Sequence, residues 1–270
     1  MVKDNKILRE WDEASESWSN FVQEGKDYYR EELNNPATFR LIGNVKGKHV
    51  LDLACGEGYN TRILAKKGAL VAGVDFSERM IELARKEEKK ERQNITYHVS
   101  DAADMRWLSS NYFDLVACFM SLQDIERYED AVSEVARVLK KNGRFIFSIP
   151  HPCFEQGSLD DGECISGWKY EEGTENTSEE KALHMEIKRY FGIIKYKVPW
   201  NMKRLVEPFK TTGFHRTLTD YSQTLYENGL LISRLVEPRP TSRAVSKHPS
   251  LRKVTKIPQS IIIKAIKRLR

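Results

Sequence analysis

The sequence predicts a doubly wound α/β domain with a mostly parallel sheet, and three observations predict it. Short apolar runs alternate with amphipathic helical stretches from His49 to Pro150. A glycine-bearing turn, Cys55-Gly-Glu-Gly58, joins the first run to the first helix of that series, and Asp75 ends the second run. Repeated strand, helix, strand units require parallel pairing with right-handed crossovers.

Each element follows from its own pattern. Ile7, Leu8, Trp11, Ala14, Trp18 and Phe21 recur at helical spacing and give a leading helix. After Gly25 a second short helix begins, interrupted by Asn34, Asn35 and Pro36; residues 38–42 add a turn or two before Gly43. Residues 49–54 form the first core strand, 59–67 a helix stopped by Gly68, and 69–74 the second strand. Ser77 caps a helix that runs to about Arg92. Strands follow at 95–99 and 113–119, then a helix at 131–140 closed by Asn142-Gly143, then a strand at 144–149. Past Pro150 the rhythm breaks: 155–180 is acidic and rich in Gly and Ser, and 185–198 alternates in strand fashion around Tyr190, Phe191 and Tyr196. A helix at 218–228 with Gly229 as its stop, a strand at 230–236, a Pro-rich basic loop at 238–256 and a strand at 259–265 complete the chain. The division is a helical cap (1–47), a ligand-binding core (48–150), an inserted lid or substrate region (151–216) and the C-terminal part of the core (217–270).

Bulk properties narrow the class. Across 270 residues, 40% are hydrophobic and 31% charged, which gives one packed core in a water-soluble chain. No run approaches the ~18 apolar residues of a membrane span, and the polar start is unlike a signal peptide, so the expectation is a cytoplasmic protein without membrane insertion. Four cysteines without a CxxC pair make no disulfide framework. A net charge of +5 is too small to imply nucleic-acid binding unless the cations cluster.

The turn after the first strand carries the chemistry. Small residues at Ala54, Gly56 and Gly58 let the backbone pass close to a ligand, and Asp75 at the end of the second strand can accept from both hydroxyls of a ribose. Together they indicate an adenosine ligand. A dinucleotide would set its pyrophosphate against Glu57 in the middle of this turn, and the last glycine of GxGxxG is replaced by Thr61. S-adenosylmethionine has no phosphate; its ammonium needs acceptors, which backbone carbonyls and Asp52 can supply.

The segment "VLDLACGEGYNTRILAKKGALVAGVDFSERMIELAR" resembles the first two motifs of the class I S-adenosylmethionine-dependent methyltransferases. The resemblance covers about 49–150 and the last helix and two strands, with Ala54 where that family usually has glycine. It implies a Rossmann-like seven-stranded sheet with the last strand antiparallel. It further implies that Ala54, Gly56 and Gly58 line the methionyl side, Asp75 holds the ribose, Phe76 lies on the adenine, Asp101 takes the adenine amino group, Ala102 meets the ring edge and Phe119 lies near the sulfur. Tyr28 and Met80 complete the candidate cofactor-binding set with Asp52, and the product is S-adenosylhomocysteine. Within the family the chain is similar to quinone-biosynthesis methyltransferases. Phe119-Met-Ser-Leu122, where amino-group methylators carry Asn or Asp followed by Pro-Pro and an aromatic, speaks against adenine-N6 and glutamine-amide targets.

Methyl transfer is an in-line displacement, so positioning and water exclusion supply much of the acceleration. If a base is used, His151 after the fifth strand is best placed in sequence and His215 second. His151, Cys153 and Cys164 lack a fourth ligand and any standard zinc spacing, so no metal is expected, and Cys153 reads as a packed residue. Trp18, Phe21, Tyr28, Tyr190 and Trp200 are candidates for core or pocket wall. Arg239, Arg243, Lys247, Arg252, Lys253, Lys256 and the tail "KAIKRLR" read as a solvated basic stretch without stacking aromatics. The expected function is C- or O-methylation of a small molecule in a lidded pocket. The alternatives are an RNA or protein methyltransferase using 239–256, and a non-catalytic S-adenosylmethionine-binding module; a nicotinamide oxidoreductase comes last. The sequence sets no oligomeric state.

Overall fold

A computed structural model describes residues 5–159, 162–173, 181–200, 205 and 207–268. Asn5 caps the first helix, its Oδ1 accepting from the Ile7 N–H at 2.9 Å, and α1 (Lys6–Gln23) buries Ile7, Ala14, Phe21 and Val22 along one stripe. Helix resumes at Tyr28, widens into a π-helical turn at Arg30–Asn34 and continues as α2 (Asn35–Ile42). The interruption expected at Asn34, Asn35 and Pro36 therefore does not occur. Pro36 falls in the first turn of α2, where a missing N–H costs least, and the wider π turn precedes its ring. The two asparagines bond across the fold instead of to their own backbone: Asn35 Nδ2 donates to Asn60 Oδ1 at 2.8 Å, and Ser260 Oγ to Asn34 Oδ1 at 2.6 Å.

β1 (His49–Leu53), α3 (Tyr59–Lys66), β2 (Leu70–Asp75), α4 (Glu78–Lys90), β3 (Thr96–Val99), β4 (Phe113–Phe119), α5 (Tyr128–Val138) and β5 (Leu139–Pro150) follow the expected alternation. One boundary moves: Asn142 (φ 61°) and Gly143 bend a strand rather than end a helix, and Leu139 already pairs with Phe113. A Cβ on Gly143 would lie 2.7 Å from the Lys140 carbonyl oxygen, which is why this bend takes glycine.

The expected lid contains two antiparallel pairs, β6 (Ser166–Tyr170) with β7 (Ala182–Ile187) and β8 (Ile194–Trp200) with β9 (Phe209–His215). The alternating stretch at 185–198 is divided between β7 and β8, with Gly192 at φ 89° between them, and part of the acidic stretch lies outside the described residues. α6 (Leu218–Glu227) opens with a capping box made by Thr217 and Asp220. β10 (Leu230–Val236), α7 (Ser242–Lys247), a 3-10 turn (Pro249–Thr255) and β11 (Ser260–Lys267) follow.

The main sheet runs β3-β2-β1-β4-β5-β11-β10, with β1 to β5 parallel and β11 antiparallel to both its neighbours. Strand alternation divides the core. Val50, Leu115, Ala117, Ile146 and Ile262 pack with α2 and α3, while Leu51, Leu53, Val116, Phe145, Phe147 and Ile263 pack with α5 and α6. Order reverses between β1 and β4, so a crevice opens at the carboxyl ends of these strands.

Residues 238–256 are not a solvated loop. Thr241 Oγ1 caps α7 by accepting from Ala244 N at 3.1 Å, and Ala244, Leu251 and Val254 bury themselves against Leu33, Tyr28 and Tyr29. Lys247 pairs with Glu32 at 2.8 Å, and Lys253 Nζ donates to Tyr170 Oη at 3.0 Å. Part of the basic set therefore fastens the C-terminal segment to the cap and the lid. Among the described residues no helix is long and apolar enough to cross a membrane.

Candidate active site

The turn between β1 and α3 takes left-handed φ values at Ala54 (53°), Gly56 (56°) and Gly58 (79°). Ala54 adopts a conformation that costs an L-residue roughly 1–2 kcal/mol, at the one position of the motif where this chain departs from the usual glycine. Beneath the turn, Tyr97 of β3 fills the space a Gly58 side chain would need, since a Cβ there would fall 2.9 Å from Tyr97 Cζ. Above it, a Cβ on Gly56 would meet nothing within 4 Å, so the backbone is open to a ligand on that side.

Two carboxylates flank the turn. Asp75 at the end of β2 accepts from Gly56 N (2.8 Å, Oδ2) and Ser77 N (3.0 Å, Oδ1), and burial pushes its carboxyl up to about 6. Each oxygen keeps a lone pair for a ribose hydroxyl. Asp52 on β1 is fully enclosed; its Oδ2 accepts from Thr61 Oγ1 at 2.6 Å, while its Oδ1 has no partner among the described residues. Burial, with Asp75 and Glu57 nearby, drives Asp52 up to about 7 against the Thr61 hydrogen bond. A buried acceptor without a donor suits the ammonium of a methionyl group.

Glu57 corrects the argument from charge. Arg62 pairs with it, Nη2 to Oε2 at 2.8 Å, and donates Nη1 to its carbonyl at 2.7 Å. Its carboxylate is therefore neutralised and presents no bare charge to a pyrophosphate. Discrimination falls to Asp52, whose unpaired oxygen asks for a cation where a dinucleotide offers anions.

The other expected cofactor residues are distributed as follows. Phe76 follows Asp75, Met80 is buried on α4, and Asp101 begins the turn after β3, its Oδ1 accepting from Ala103 N at 2.8 Å beside buried Ala102. Phe119 ends β4 and packs on Phe39 of α2, ring centroids 5.4 Å apart. Asp52, Asp75, Asp101 and Phe119 thus stand at or near the carboxyl ends of four adjacent strands. Tyr28 is engaged elsewhere: it stacks on His248 at 4.7 Å, and its hydroxyl accepts from Ser250 Oγ.

Neither histidine is arranged as a free base. Cys153 N donates to His151 Nδ1 at 3.2 Å, which leaves the proton on Nε2 to face Glu237 at 3.1 Å. Burial lowers the pKa of His151, so the ring is neutral with its lone pair in use. His215 is fully buried between two acceptors, Glu155 Oε2 (2.8 Å) and the Tyr190 carbonyl (2.7 Å). The Tyr190 carbonyl can only accept, so Nε2 carries a proton; burial opposes charge on the ring, but the hydrogen bonds to Glu155 and Tyr190 raise its pKa overall, while burial raises that of Glu155. Tyr196 donates to the other oxygen of Glu155. His151, Cys153 and Cys164 form no ligand group among the described residues.

Residues 51–147 match the family described as a methyltransferase domain. The chain therefore carries a methyltransferase domain at 51–147, on a fold shared with S-adenosylmethionine-dependent methyltransferases. Over 148 residues the chain is 30% identical to a ubiquinone biosynthesis O-methyltransferase of Coxiella burnetii, covering 54% of this chain and 62% of the relative. Over 117 residues it is 33% identical to a demethylmenaquinone methyltransferase of Tropheryma whipplei, covering 43% and 48%. The chain thus spans about three fifths or less of these curated relatives. A Mesorhizobium loti S-adenosylmethionine-dependent methyltransferase superposes with a TM-score of 0.67 at 25% identity over 86% of this chain and 96% of its own. A Listeria monocytogenes structure provisionally assigned to the same class gives 0.69 at 26% identity over 87% and 97%.

The chain places further groups at this edge that sequence motifs did not reveal. Asp12 of α1 reaches Ser77, Oδ1 to Oγ at 2.5 Å, beside an open cleft of about 440 Å³ between α1 and α4 lined by Arg9, Asp12, Glu13, Ser15, Glu16 and Arg79. Arg30 lies over the Trp18 and Tyr59 rings at 5.2 and 5.3 Å, near enough to Asp52 to oppose the rise in its pKa. Gln123, Asp124 and Arg216 gather past the end of β4. The helical periodicity around Trp11 and Trp18 was a signal for α1, but nothing local marked its contact with Ser77.

Proposed function

We propose that this chain transfers a methyl group from S-adenosylmethionine to carbon or oxygen of a small molecule, releasing S-adenosylhomocysteine. The observation that carries the reading is the buried, unpartnered Oδ1 of Asp52 beside the ribose-ready carboxylate of Asp75. Asp52 receives the methionyl ammonium, Arg30 supplies a cation for the methionyl carboxylate, Asp75 holds the ribose, and Phe76, Met80, Asp101 and Ala102 enclose the adenine. Bound there, S-adenosylmethionine supplies an activated methyl; the chain orients it and excludes water. The class of acceptor is supported by the quinone-biosynthesis relatives, and the packing of β9 against the turn after β4 supports a roof over the acceptor from that strand. Since both histidines have their nitrogens occupied, neither is assigned the part of a base.

Calorimetry tests this directly. S-adenosylmethionine binds and NAD does not, and Asp75→Ala weakens binding at least tenfold, ~1.4 kcal/mol. A chain that ignores S-adenosylmethionine, or whose Asp75→Ala variant binds it unchanged, does not have this function.

A further inference from the structure

The 3-10 turn Leu122–Asp124 follows β4 directly and stands between the cofactor turn and the lid. Ser121 Oγ ties it to the first, contacting the Ala54 carbonyl at 3.3 Å, and β9 packs across it from the second. Asp124 lies close enough to feel both the Asp75 carboxylate on the cofactor side and Glu155 under the lid.

One buried hydrogen-bond acceptor on this turn has no donor among the described residues, and the carboxylate beside it has a single one. Gln123 Nε2 donates to the Met120 carbonyl at 2.7 Å and to Asp124 Oδ2 at 3.2 Å, which fixes the amide so that Oε1 is the free end. That Oε1 is buried and has no partner among the described residues. Asp124 accepts only the bond from Gln123 among the side-chain hydrogen bonds of the described residues. The nearby cation does not cap them: Arg216 lies over the Tyr128 and Phe214 rings at 4.8 and 5.4 Å and gives Nη2 to the Ile125 and Glu126 carbonyls at 2.8 and 3.1 Å. Its hydrogen bonds hold the backbone just after Asp124. A buried acceptor left unfilled is costly, and a ligand that donates to it recovers that energy.

We infer that the methyl acceptor carries two hydroxyl donors, one facing Gln123 Oε1 and one facing Asp124, and that Asp124 takes the proton of the hydroxyl it holds. In the step, the acceptor O–H bond breaks and its proton passes to the Asp124 carboxylate. The oxygen lone pair bonds to the methyl carbon, and the methyl–sulfur bond breaks with its electron pair left on sulfur, so a sulfonium and an alcohol become a thioether and an ether. Burial, with Glu155 nearby, raises the Asp124 carboxyl, so its carboxylate is a stronger base than that of an exposed aspartate. This rests on the methyltransferase reading above.

The test compares phenol and catechol with their methyl ethers, anisole and veratrole, by calorimetry on the full chain saturated with S-adenosylhomocysteine. At least one hydroxyl probe binds tenfold or more tighter than its ether, and in Asp124→Asn that preference falls below about threefold while affinity for S-adenosylmethionine stays within threefold. Gln123→Met weakens the same preference, which guards against a folding defect peculiar to one variant. Methylation of the bound probe drops ~10²- to 10⁴-fold in Asp124→Asn. If no hydroxyl probe outbinds its ether, or if the preference survives in both variants, the inference is overturned. Should wild type fail to bind S-adenosylmethionine at all, the methyltransferase reading fails instead.

Discussion

Thr61 Oγ1 donates to Asp52 Oδ2 at 2.6 Å, while Oδ1 of the same carboxylate has no partner among the described residues. Because Asp52 is raised from 3.8 to about 7, the folded chain between these values holds a proton that the unfolded chain has lost, so this group makes stability fall as pH rises through that window. On the proposed reading, the methionyl ammonium binds the ionised form, and its binding expels the proton. Titration with S-adenosylmethionine at pH 6 in buffers of different ionisation heat therefore shows proton release that fades above pH 8. Asp75, raised to about 6, adds to the same trend. Asp52→Asn keeps an acceptor for Thr61 and removes the buried charge. At pH 8 it raises stability by ~1–3 kcal/mol, read as a few degrees in Tm, and weakens cofactor binding more than tenfold. Proton-neutral binding at pH 6 contradicts this account of the site.

The His215–Glu155 contact at 2.8 Å joins β9 to the segment after β5 and is sealed from water. Removing one partner leaves a buried charge unpaired, which costs ~3–5 kcal/mol, whereas replacing both with apolar groups costs far less. Glu155→Leu thus lowers the urea midpoint sharply, and Glu155→Leu with His215→Leu recovers most of the loss; simple addition of the two single effects would show that the pair does not act as a unit. The sign with pH follows from the raised imidazole: its stabilising charge is fully present below about 6.5 and is lost as pH climbs through the higher folded-state value.

What the sequence made legible was local. β1, β2 and β4 announced themselves as apolar runs, and Asp52, Gly56, Gly58 and Asp75 stood in a motif whose spacing implies their use. What it concealed depends on partners far along the chain. Asn34 and Asn35 look like helix breakers until Ser260 and Asn60 take their side chains, 226 and 25 positions away. His215 looks available until Glu155, 60 positions earlier, occupies it, and the grouping of Asp124 with Arg216 is created by an arginine that reaches back 91 positions to Ile125. Long-range pairing of this kind leaves no periodicity to read.

Gly58 and Tyr97 meet where the cofactor turn rests on β3. An added Cβ would fall 2.9 Å from Tyr97 Cζ and 3.0 Å from Cε1, at a backbone φ of 79° that an L-residue resists. Gly58→Ala thus combines a left-handed penalty of ~1–2 kcal/mol with overpacking of ~1 kcal/mol or more, for a total of ~2–3 kcal/mol in denaturant unfolding. The buried Tyr97 hydroxyl has no hydrogen-bond partner among the described residues, so Tyr97→Phe alone is neutral or slightly stabilising. Combining the two substitutions relieves the collision but not the φ penalty, and recovers ~1 kcal/mol of the loss together with part of the affinity for S-adenosylmethionine. Strict additivity in this cycle would mean that Tyr97 does not support the turn, and that the glycine is needed for its backbone angle alone.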